Sequence, residues 1–181
     1  MQIPIPILLV ASTLLSTTTA AITWTLQRSA NPTPDQSAAY NRITTAITAA
    51  VARHQRLTPS ISKSLKVYYT PGVPTAEANY NGDVRFGSNA AYQTERTALH
   101  VIAHTLGVGQ RKAFDDRCAS GNWPKALPLL RGWDGASAKI SCGGGHFWPY
   151  GLNFETEWSG QAGDRHCLLV KAMLDDGMAA Y

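Results

Sequence analysis

The sequence predicts an α+β domain in which a small mixed sheet supports a buried helix, with a loop-rich C-terminal part. Three observations carry this. Two segments, 22–28 and 64–70, alternate or cluster apolar residues as strands do. Residues 37–56 place Tyr40, Ile43, Ile47, Ala50 and Val51 on one face at helical spacing. The second half of 92–106 is apolar on almost every side, through Ala98, Leu99, Val101, Ile102, Ala103 and Leu106, which marks a helix enclosed by the rest of the chain.

Taken in chain order, "ITWTLQR" reads as a half-buried strand, and "NPTPDQ" then breaks the chain and offers Asp35 as a helix N-cap. The amphipathic helix that follows carries His54 near the edge of its apolar stripe, so a boundary histidine is expected. "SLKVYYT" reads as a second strand, ended by "GVPT". Asn81-Gly82 between Tyr80 and Val84 signals a hairpin, because this pair accepts the positive φ angles of a type I′ turn. The buried helix stops at Gly107. Residues 110–153 are punctuated by "GNWP", "RGWDG" and "CGGGHFWPYG" and read as irregular, and a final helix is expected over about 164–174 with His166 on its surface.

The chain of 181 residues fits one domain, and 44% hydrophobic with 15% charged residues is a globular composition. Its net charge of +4 is scattered, which argues against a nucleic-acid surface. The apolar run from Ile5 to Leu15 is about 11 residues, short of the ~20 that span a bilayer. Small residues follow it, ending at Ala20 and Ala21. Residues 1–21 therefore read as a secretory signal peptide, although no Lys or Arg precedes the run, and residues 22–181 as the domain. A secreted, extracellular monomer with no membrane attachment after signal removal is the expectation. In an oxidising compartment the three cysteines can form at most one intrachain bond. Cys118 and Cys142 lie in the loop-rich region and are the expected pair, worth ~3 kcal/mol for a closed loop of about 25 residues. Cys167 falls in a helical pattern and reads as a buried thiol.

"TALHVIAHTLGVG" holds His100 and His104 four residues apart, one above the other on one helix face, where two imidazoles can reach a single ion. A buried helix gains nothing from two polar rings unless each is partnered, since an unpaired buried polar group costs ~1–3 kcal/mol. A shared ligand is the more economical explanation.

That segment resembles the HExxHxxG motif of zincin metallopeptidases, with Val101 standing where their glutamate stands. Together with "VRFGSNAAYQTER" before it and "GGGHFWPYGLNFETEWS" after it, the chain is similar to a group of secreted microbial zincin-like proteins, some joined to a ricin-type lectin domain. The similarity covers roughly residues 64–177 and includes no lectin portion. It implies a zincin-like fold, zinc as cofactor, and His100 and His104 as helical ligands. The third histidine of metzincins would fall at Gln110, so another residue must serve. His146, in a glycine-rich stretch with Phe147, Trp148 and Tyr150, is the best candidate; Glu155 and Glu157 are weaker ones. The motif glutamate of zincins moves the proton of the zinc-bound water, a contribution of ~10²–10⁴-fold that valine cannot supply.

Three functions follow as expectations. The first is a secreted zinc-binding protein related to metallopeptidases, with peptidase activity lost or much reduced. The second is an active metallopeptidase acting on peptide or protein, with Glu155 or Glu157 as base. The third is a metal-free polysaccharide-binding module using Trp123, Trp133 and Trp148, though tryptophans in such segments more often form small satellite cores.

Overall fold

A computed structural model describes residues 21–180, so the expected leader lies, but for its last residue, outside the described residues. Among the described residues no helix is long and apolar enough to cross a membrane. The architecture is α+β. Strand β1 (Ile22–Gln27) buries Ile22 and half-buries Trp24 and Leu26, and β2 (Lys63–Tyr69) buries Leu65 and Val67. The two pair in parallel, from Ile22 opposite Lys63 to Gln27 opposite Tyr68. A parallel pair needs a long crossover, and helix α1 (Pro34–Leu57) supplies it. Strand β4 (Asp83–Phe86) adds in parallel to β2, and β3 (Ala76–Ala78) closes that side antiparallel to β4, giving the order β1-β2-β4-β3.

The cap of α1 is not Asp35 but Thr33. Thr33 Oγ1 accepts from Gln36 N at 3.2 Å and the Gln36 side chain accepts from Thr33 N at 2.9 Å, a reciprocal pair that satisfies two backbone donors at once. Pro34 occupies the first helical position without loss, and Asp35 sits in the first turn where the helix dipole favours a negative charge. The expected apolar face is the buried one: Tyr40, Ile43, Ile47, Ala50 and Val51 all face the core.

The hairpin forms, but not through a type I′ turn. Among the described residues only Tyr150 and Leu152 combine a side chain with positive φ, so Asn81 does not. Asn79 organises the turn instead, its side-chain oxygen accepting from Asn81 N at 2.9 Å and Asp83 N at 3.3 Å. Gly82 is required for a different reason: its φ is +97° and a Cβ there would stand 2.3 Å from the Ser64 carbonyl of β2.

Helix α2 (Glu95–Leu106) begins at an N-cap, Thr94, and ends at Gly107 with φ +127°. It is enclosed as expected, between α1, α5 (Gly160–Asp175) and the β3–β4 side of the sheet. The stretch expected to be irregular holds two helices, α3 (Lys112–Ser120) and α4 (Ala126–Asp134), and a hairpin of β5 (Ser141–Gly143) and β6 (His146–Trp148). Both helices are only nine residues long, too short for periodicity to stand out. The start of α4 is capped from afar, by Asp176 accepting from Lys125 N at 2.8 Å and Ala126 N at 3.0 Å. Cys118 on α3 and Cys142 on β5 form a disulfide, and Cys167 is a free buried thiol.

His54, expected at the boundary, and His166, expected at the surface, are both in the core, 1% and 0% exposed. His54 Nδ1 donates to Thr58 Oγ1 at 3.1 Å, that hydroxyl donates to the His54 carbonyl, and Nε2 has no partner for a second proton. Burial, with His166 and Arg53 nearby, pushes the His54 pKa down to about 3, and burial brings His166 down to about 4 despite two carbonyl contacts. Both groups titrate near 6.5 when unfolded. Between those values the unfolded chain binds more protons than the folded one, so stability rises with pH. The contribution is complete above about pH 6.5 and is lost as the pH falls towards 4 and then 3. Melting curves are expected to show Tm dropping through that window, with a shallower drop for His54→Gln. An equally steep slope in the variant would contradict this origin.

Candidate metal centre

His100 and His104 stand one turn apart on α2 and His146 opens β6. The fold brings the three side chains together, with one nitrogen from each lying within 4.8 Å of the others. Ring centroids are 4.8 Å apart for His100 and His104, 5.1 Å for His100 and His146, and 5.2 Å for His104 and His146.

Hydrogen bonding decides which nitrogens face inward. His100 Nδ1 donates to the Gly151 carbonyl at 2.9 Å, and His104 Nδ1 donates to the Val108 carbonyl at 2.8 Å. A carbonyl oxygen only accepts, so both protons belong on Nδ1 and both Nε2 atoms carry lone pairs. Those two Nε2 atoms face each other at 3.2 Å. Two lone pairs in that position repel unless a positive centre lies between or beside them. Protonation is disfavoured: burial first, and then the adjacent His104, bring His100 down to about 3, and burial lowers His104 in the same direction. The donor set therefore fits a divalent cation with nitrogen preference. Neutral imidazoles whose outer N–H groups rest on carbonyls are the arrangement such ions use.

His146 is brought in by its hairpin. Gly143 pairs with His146, and Gly144 and Gly145 make the tip with φ of +57° and +78°. The tip rests on the turn after α2 so closely that a Cβ on Gly109 would lie 2.2 Å from the Gly145 carbonyl. The disulfide ties the other strand of the hairpin to α3, with Cα atoms 5.7 Å apart.

The histidines line a cleft of about 1270 Å³, walled by residues 75–78 of the β3 edge, by Arg96 and Thr97 of α2, and by Trp148, Phe154 and Glu155. The alternative carboxylates separate here. Glu155 is in the wall, its Oε2 accepting from Arg96 Nε at 2.8 Å. Glu157 is not in the wall and accepts from the Trp148 indole at 3.2 Å and from Asn153 N at 3.0 Å. Val101 is 0% exposed and belongs to the core rather than to the cleft surface. Of the three tryptophans, Trp123 is buried beside Phe114, Trp133 packs on Tyr150 and Arg165, and Trp148 lines the cleft. Arg96 and Thr97 escaped the sequence reading. Arg96 precedes His100 by the same four residues that separate His100 from His104, so the stripe was visible. The carbonyls of Gly151 and Val108 were not, because backbone partners leave no residue signature.

Among known protein families, curated proteins and solved structures, none matches this chain. The geometry therefore carries the functional argument.

Proposed function

We propose that this protein is a secreted zincin-like zinc-binding protein whose peptidase activity is lost or much reduced. His100, His104 and His146 would hold the ion. The observation that carries the reading is the pair of inward lone pairs 3.2 Å apart with a third imidazole beside them. Zinc in such a site acidifies a bound water and polarises a carbonyl. The chain's own contribution is the rest: Gly151 and Val108 fix the imidazole tautomers, and the exposed edge of β3 in the cleft wall suits an extended peptide or protein segment. No carboxylate occupies the motif position, where Val101 lies in the core. A disulfide suits export to an oxidising compartment.

One observation favours a second reading, an active enzyme: Glu155 reaches the cleft wall. Its bond to Arg96 commits one of its oxygens. Metal analysis is the test. The purified protein is expected to carry about one zinc per chain, with chelator lowering Tm and zinc restoring it. At a hundredfold excess over Kd, the ion adds about 2.7 kcal/mol of stability. Protein that purifies without metal and melts identically with or without zinc would sink the proposal.

A further inference from the structure

Resting on that metal reading, we propose that His166 is a positioning residue for the centre, fixing the segment that orients His100 and packing on the residue after His146 without touching the ion. It is 0% exposed and does not line the cleft, so it meets neither metal nor substrate. Its contacts nevertheless fall beside every part of the site. Nε2 lies 3.1 Å from the carbonyl of Leu99, the residue before His100. Nδ1 lies 2.7 Å from the carbonyl of Tyr150, the residue before Gly151, and as the shorter contact it takes the single N–H of the neutral ring. The ring stacks on Phe147, the residue after His146, at 5.9 Å and 18°.

The segment so held is a strained one. Tyr150 and Leu152 have φ of +63° and +58°, a left-handed region that crowds the Cβ of an L-residue against its own backbone. Between them Gly151 presents the carbonyl that holds His100 Nδ1. The carbonyls on either side are pinned in turn, Tyr150 by His166 and Leu152 by Arg96 Nη1 at 2.8 Å. Three successive carbonyls thus receive three side chains, and the middle one sets the direction of the His100 lone pair. Without His166 the segment is free to relax and the Gly151 carbonyl to turn. Packing alone does not account for the residue, since a phenylalanine would stack on Phe147 without burying two polar nitrogens.

The experiment uses the full chain loaded with zinc or with cobalt(II), whose visible spectrum reports ligand geometry. His166→Phe is expected to fold, to bind zinc about 10–100-fold more weakly, and to show an altered cobalt spectrum. His166→Gln, whose amide can still donate to the Tyr150 carbonyl, should recover part of both. His54→Gln, a change at another buried histidine, should leave the spectrum unchanged. If His166→Phe does not fold, His166→Gln and His166→Asn decide, the longer side chain being expected to stay nearer the wild type. Wild-type affinity and spectrum in the folded variants would overturn the inference while leaving the metal reading intact. A wild-type protein that takes up neither ion overturns both.

Discussion

Replacing His104 by alanine is expected to abolish zinc binding, and with it the whole stability difference between zinc-loaded and chelated protein. His104 is 9% exposed, its Nδ1 is held by Val108, and its Nε2 lies 3.2 Å from His100 Nε2. Alanine leaves two ligands on two different elements, too few for a closed site. Affinity should fall by more than the ~10–100-fold that loss of an outer partner costs. The effect on the metal-free protein is different in kind. There the substitution leaves a small cavity and a Val108 carbonyl without its side-chain donor, but it also removes one of two facing lone pairs. The two proteins should therefore melt close together in chelator and far apart in zinc. Calorimetry or dye-based melts with both additives measure the divergence. Equal separation in the two conditions would mean that His104 is a structural residue only.

What could be read in the sequence was what repeats along an element. The α1 stripe and the all-round apolarity of α2 needed no partner to be visible, and the histidine pair lay on the latter. His146 was legible because its neighbours are glycines and aromatics, an unusual setting for a loop histidine. What escaped depends on contacts between distant segments. Asp176 caps α4 across some fifty positions of chain, and nothing near Lys125 announces it. His166 reads from the sequence as a surface residue of the last helix, yet α5 turns it inward, buried with Cys167, Leu169 and Val170. Its partners are carbonyls, which every residue possesses. The geometry of Tyr150 and Leu152 was equally hidden, since positive φ is normally announced by glycine and here it is not.

Replacing Val101 by glutamate is expected to raise chelator-sensitive peptide hydrolysis by ~10²–10⁴-fold, the range a positioned general base contributes. Val101 itself does not reach the cleft, being 0% exposed. Its neighbours on the helix face do: Thr97 is four residues before it, His104 three residues after it, and both line the cleft. A longer side chain at 101 can therefore emerge between them, beside the imidazoles, where its carboxylate would accept the proton from water activated at the ion. The change carries a cost, because Val101 belongs to the buried core cluster and a carboxylate that leaves that position must displace its packing. A lower Tm in chelator is thus part of the expectation, with zinc recovering some of it once the carboxylate has a water to bond. Alanine at 101 separates the two effects, since it loosens the core without adding a base. Assays on denatured protein and mixed peptides, with and without chelator, compare the three chains. Hydrolysis by Val101→Glu alone would mean that the missing glutamate is what separates this centre from a peptidase. If the wild type already cleaves and Val101→Glu adds nothing, the base lies elsewhere, and Glu155→Gln, at the one of the two expected alternatives, Glu155 and Glu157, that lines the cleft, should then remove the activity.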